Sequence, residues 1–205
     1  MSSPLRRIAA AALAIPLAVG MATSADAKST FQAKSSGNYA IVYWDEQEDL
    51  GDSVRYTYGG IDAFGDRNVE LYGYLEVITC LKEFPDETDP CTYEYSYVYA
   101  DPGAVTLDLG KKNTGASLSG PVVLEGELGD SETVQLDISL VGTGATIKSR
   151  NSFTYRDPDG VRYSVRSSQT GREADASGSI GDIVLSASAS GEFGTYRQME
   201  REMIP

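Results

Sequence analysis

The residues of this chain able to do chemistry are few: two cysteines, an alternating run of tyrosines, a cluster of arginines around one turn, and scattered carboxylates. Histidine is absent, which removes the commonest acid/base catalyst and the commonest zinc ligand together. Ser-His-Asp and Cys-His machinery therefore cannot be built within the chain. Cys80 and Cys91 are the only cysteines, and an exported chain meets an oxidising environment, so they are expected to pair. A loop this short adds about 3 kcal/mol by the chain-entropy estimate.

Placing the two cysteines opposite each other on an antiparallel pair fixes a register. Ile78 then meets Tyr93, Glu76 meets Tyr95, Tyr74 meets Tyr97 and Tyr72 meets Tyr99. One face carries Tyr72, Tyr74, Tyr93, Tyr95, Tyr97 and Tyr99, with Glu76 among them; the other holds Leu71, Leu75, Val77 and Val98, interrupted by Glu94. Tyrosine has an apolar body and a polar tip, so such a face suits a glycan, an aromatic or apolar small molecule, or a protein. Tyrosine also has high strand propensity and packs across strands without any ligand, which is the competing explanation.

A second hairpin is signalled by Asp157-Pro158-Asp159-Gly160. Proline fits where φ must be near −65° and glycine where φ must be positive, so a type I turn with a glycine bulge is predicted. It places Tyr155 opposite Tyr163 and Phe153 opposite Val165, with Phe153 and Val165 expected in the core. Arg150, Arg156, Arg162 and Arg166 then share the outward face, with Arg156 opposite Arg162. Like charges facing each other need acidic neighbours. The acidic remainder of the chain is the expected partner, and an anionic ligand the alternative. A third turn, Gly181-Asp182, pairs Ile180 with Ile183 and continues into Ala174, Ala176, Ala187 and Ala189, a face small enough for close approach.

Other chemistry is weakly signalled. Without histidine or free thiols a metal site would use oxygen ligands, hence calcium. Asp45-Glu46-Gln47-Glu48-Asp49 with Asp52, and the acidic loop from Lys82 to Pro90, qualify by composition but not by ligand spacing, so no metal or cofactor is expected. Glu76 and Glu94 tempt as a glycosidase pair, but the register puts them on opposite faces. No hydrolase elbow or phosphate-binding loop occurs.

The elements that position these residues read as strands throughout. Period-two alternation recurs in short runs separated by Gly, Asp, Asn and Pro, with strand starts near Asn38, Ser53, Arg67, Cys91, Ala104, Pro121, Thr133, Thr146, Val161, Glu173, Ile183 and Glu192. Ten to twelve antiparallel strands in a meander cannot remain one flat sheet, so an all-β barrel or two-sheet sandwich is expected. Lys111 to Gly120, with its Lys, Asn, Gly and Ser, is the least strand-like interior segment and the best candidate for a longer crossing loop.

Residues 1–27 have the three-part layout of a cleavable signal peptide: Arg6-Arg7, an apolar run from Ile8 to Val19, and Ala25-Asp26-Ala27. A single domain over 28–205, secreted or otherwise extracytoplasmic, follows. Losing two arginines and one aspartate would take the net charge from −13 to −14. From Lys28 to Thr146 there are 21 acidic residues against 7 basic, whereas from Lys148 onward there are 8 of each. Such acidity argues against nucleic-acid and membrane-surface roles. A transmembrane barrel is disfavoured by the cysteine pair, the polar end and charges on both strand parities. The sequence-level reading is a non-catalytic binding or interaction module, with a small histidine-free β-barrel enzyme, such as a lyase, isomerase or glycosidase, as the alternative.

Overall fold

In the computed structural model, residues 30–82, 91–185 and 188–203 are described. The chain folds into β1 (Thr30–Asp49), β2 (Ser53–Gly65), β3 (Glu70–Leu81), β4 (Cys91–Ala100), β5 (Thr106–Leu109), β6 (Gly115–Gly126), β7 (Ser131–Gly142), β8 (Ile147–Arg156), β9 (Arg162–Ile180), β10 (Ile183–Val184) and β11 (Ser190–Met203). All pairings are antiparallel, and following them from β1 through β2, β3, β4, β6, β7, β9 and β11 returns to β1. This ring of hydrogen bonds closes a barrel-like all-β fold. Closure removes the sheet edges that an open meander would expose.

Alternation decides which way each strand faces. In β7, Leu136, Ile138 and Leu140 are buried while Gln135, Asp137 and Ser139 point to solvent; Ala40 and Val42 do the same in β1. Ile61, Leu118, Val122 and Phe193 complete an apolar filling. A one-residue slip of any strand would turn this set outward, so burial fixes the register.

The strands are longer than the ring needs, and both ends of the barrel continue as open sheet. At one end β1 to β4 run on to the disulfide. Cys80 and Cys91 lie directly opposite, with Cα atoms 4.1 Å apart, and are bonded. The acidic loop between them, with Glu83, Asp86, Glu87 and Asp89, falls outside the described residues. At the other end β1, β11, β9 and β8 form a four-stranded extension, with β8 paired to β9 alone.

The extension corrects one expectation. The Asp157–Gly160 turn forms as read: Gly160 has φ of 87°, the Asp157 amide donates to the Val161 carbonyl at 3.0 Å, and the Asp157 carboxylate accepts from the Val161 amide at 2.8 Å. Tyr155 faces Tyr163 and Phe153 faces Val165. Phe153 is nevertheless 63% exposed, because the pairings through β11 to β1 put Phe153 and Val165 on the side of the sheet that continues the outer wall. The arginines take the side that continues the apolar filling past the end of the ring. The register was legible; the burial was not.

Two further differences have local causes. Lys111 to Gly120 is no crossing loop: Lys112 and Asn113 adopt left-handed φ of 60° and 52°, which reverses the chain tightly and starts β6 at Gly115. The glycine there serves close approach, since a Cβ on Gly115 would lie 2.7 Å from the Leu140 carbonyl oxygen. The strands expected from Val161 and Glu173 are one strand, β9, which pairs with β8 up to Gly171 and with β7 from Ala174. The change of pattern there marks an exchange of neighbours. The Gly181-Asp182 turn pairs Ile180 with Ile183, and Ala174, Ala176 and Ala189 are buried as expected. Ala187 lies outside the described residues.

Candidate functional site

The tyrosine register across β3 and β4 is the one the cysteines imply, with Tyr72, Tyr74, Glu76 and Ile78 opposite Tyr99, Tyr97, Tyr95 and Tyr93. Continuing it through β2 and β1 enlarges the face. One row runs Tyr43, Gly60, Tyr74, Tyr97; the next runs Asp45, Tyr58, Glu76, Tyr95. On either side lie Ile41, Asp62, Tyr72, Tyr99 and Gln47, Tyr56, Ile78, Tyr93. Because Val42, Ile61, Leu71, Leu75 and Val98 on the alternate positions fill the barrel, this is its outer wall. Nine tyrosines and four carboxylates (Asp45, Asp62, Glu76 and, on β6 beside Tyr97, Glu125) share the wall. No lysine or arginine occupies any of these rows.

The rings are held by one another. Tyr74 and Tyr95 stack at 6.3 Å, Tyr95 meets Tyr97 edge-on at 5.1 Å, and Tyr56 stacks with Tyr58 at 6.5 Å. Gly60 leaves a notch between rings, since a Cβ there would come within 3.0 Å of Tyr74 and 3.1 Å of Tyr43. Tyr93 and Tyr97 are 65% and 56% exposed, Tyr72, Tyr74 and Tyr99 somewhat less, and Tyr95 is half-buried among its neighbours. Glu125, beside Tyr99, raises the pKa of that hydroxyl. Tyr39 shows what a packed tyrosine looks like in this fold. It is 1% exposed, its hydroxyl donates to Glu192, and Gly171 makes room for both groups.

Burial pushes the Tyr72 hydroxyl up to about 12, with help from the charges of Asp62 and Glu70, and raises those of Tyr43 and Tyr95. These hydroxyls therefore remain donors across the physiological range. Asp62 is the exception on the wall: one carboxylate oxygen is buried without a hydrogen-bond partner, and burial raises its pKa. A carboxyl whose folded value is raised confers stability while protonated, and that stability is lost as pH rises through the folded value. Asp62→Asn is therefore expected to raise Tm at pH 7 and leave it nearly unchanged at pH 3. Equal shifts at both pH values would show that Asp62 carries no burial penalty.

The remaining sequence candidates separate. Glu76 is on the outer wall and Glu94 on the opposite face of β4, so they share no cleft. In the acidic stretch at the end of β1, Glu48 pairs with Arg55, and Asp49 pairs with Lys82, which holds its carboxyl below the usual range.

Arg150, Arg156, Arg162 and Arg166 lie on one exposed face of the β8–β9 extension, Arg156 opposite Arg162. Among the described residues no ion pair neutralises them; the pairs present are Arg55–Glu48 and Lys82–Asp49. The same face continues onto β11 and β1 with Arg197, Arg201 and Lys34, which sequence reasoning missed. A depression of about 310 Å³ lies between Arg150, Arg166 and Arg197, floored by Ser152, Ser168 and Met199.

Tyr43, Tyr56, Tyr58 and Asp62 were also missed. Their signal was the alternation on β1 and β2, which joins the tyrosine hairpin only once the pairing of β2 with β3 is known.

No protein-family model matches the chain, and no curated protein and no solved structure matches it.

Proposed function

We propose that the chain is an exported, non-catalytic binding module whose outer tyrosine wall receives a cation-bearing protein surface. The observation that carries this reading is the wall's composition: nine tyrosines with four carboxylates and no cation on contiguous rows of four strands and the margin of a fifth. A guanidinium or ammonium group gains from the ring faces and from the carboxylates at once. The wall is an open sheet surface, which suits a macromolecular partner better than a small molecule requiring enclosure. The side chains filling the barrel are apolar, which favours binding over the enzyme alternative. An apolar interior with carboxylates such as Asp62 and Glu125 outside is also the reverse of a transmembrane barrel. Export rests on the signal-like residues 1–27, and the disulfide is compatible with it.

Calorimetric titration of the exported protein with a nona-arginine peptide and with cellohexaose tests the partner's chemistry. The peptide is expected to bind with Kd in the micromolar range, weakening about tenfold or more as salt rises from about 0.05 to 0.5 M. Binding of the neutral sugar alone would overturn the cationic reading.

A further inference from the structure

Among the described residues no ion pair neutralises the arginine-bearing sheet, and Asp66, which shares a depression with Arg197 where the sheet meets the barrel, is the acidic residue beside it. On its face β8 presents Lys148, Arg150, Ser152, Thr154 and Arg156, and β9 presents Arg162, Ser164, Arg166, Ser168 and Thr170. β11 adds Arg197, Met199 and Arg201, and β1 adds Gln32, Lys34 and Ser36. No aspartate or glutamate occupies any of these positions. Cations on an edge strand commonly serve to discourage edge-to-edge pairing, and that would account for the three on β8. It would also cover Lys34, because β1 is the other edge of the extension, but it does not account for the arginines on β9 and β11, which lie inside the sheet.

The tyrosine wall is the complement of this face in both respects, carrying carboxylates and aromatic rings without cations. The two cannot meet in one molecule. Lys34 and Tyr43 stand on opposite faces of β1, about 30 Å apart at the rise of an extended strand. We infer that the cation-bearing partner of the tyrosine wall is the arginine sheet of a second copy of this chain. The inference rests on the binding role proposed for the wall and names its partner. Contact between two different surfaces is heterologous and leaves one of each free, so copies add head to tail into open chains. Guanidinium groups stacked on tyrosine and paired with Glu76 or Glu125 supply the attraction. The acidic net charge of each copy opposes association only over distances that salt screens.

Sedimentation velocity of the exported protein over about 10 to 500 μM, in about 0.05 M salt, tests this. Concentration-dependent growth beyond dimers is expected, and monomers in about 0.5 M salt. Arg162→Glu/Arg166→Glu should sediment as a monomer, and so should Glu76→Gln/Glu125→Gln, with circular dichroism unchanged in both. An equimolar mixture is the decisive arm. One variant keeps an intact wall and the other an intact arginine sheet, so the mixture should give dimers and stop there. A wild-type protein that stays monomeric while still binding nona-arginine would overturn the self-association and leave the wall's binding role standing. Association that survives both pairs of substitutions, or a mixture that stays monomeric, would overturn it as well.

Discussion

Gly59→Ala should lower the stability of the protein by about 3 kcal/mol or more, a shift of roughly 6–12 °C in Tm for a domain of this size. Trp44, the only tryptophan, is 3% exposed and lies across Gly59 on the inner side of the barrel. A Cβ on Gly59 would sit 1.9 Å from the indole ring. The ring is not the free end of a flexible chain, so it must leave its place or β2 must separate from β1. Overpacking of a filled core costs about 1–3 kcal/mol, and displacing a buried tryptophan reaches about 3–5. A red shift of the single tryptophan's emission should accompany the loss. Gly144→Ala is the matched control, because its Cβ would meet nothing closer than 3.6 Å. It should change stability by no more than about 0.5 kcal/mol. Equal behaviour of the two variants would mean that Trp44 is not packed on Gly59.

How far the sequence foretold this arrangement depends on what each signal encodes. A turn or a disulfide fixes which residues face each other. The pairs Tyr155–Tyr163, Phe153–Val165, Ile180–Ile183 and Cys80–Cys91 were therefore all readable from a few neighbouring residues. Alternation encodes only that a strand has two faces. It does not say which face the closed ring turns inward, which is why Phe153, apolar and expected in the core, is found in water on the outer face. The same gap hid the arginine sheet. Arg197, Arg201 and Lys34 join Arg162 and Arg166 through pairings of residues 29 or more positions apart in sequence, which no local turn announces. The wall was half legible for the same reason. β3 and β4 are tied by their disulfide, whereas β2 and β1 bring Tyr56, Tyr58, Asp62 and Tyr43 to it only through the closed ring. Closure itself follows from the two ends of the chain, β1 and β11, pairing over fourteen residue positions from Thr30–Met203 to Tyr43–Ser190.

The Tyr95→Ala/Tyr97→Ala variant probes the tyrosine wall at its densest contact, where the two rings meet edge-on and Tyr95 also stacks on Tyr74. Buried-centre tyrosines of protein interfaces each cost about 1–3 kcal/mol when truncated, so the pair should weaken nona-arginine binding by about a hundredfold. Both rings point away from the apolar filling, so Tm should fall by only a few degrees. The variant keeps every carboxylate of the chain, and this separates a tyrosine-built site from general attraction of a basic peptide to an acidic protein. Titrating wild type and variant side by side, with a thermal melt of each, is the most direct test of the wall as the functional surface. Binding lost with the fold retained is the result expected. Unchanged affinity would mean that charge alone draws the peptide, and a variant that unfolds would show these rings to be structural; either result would contradict the account.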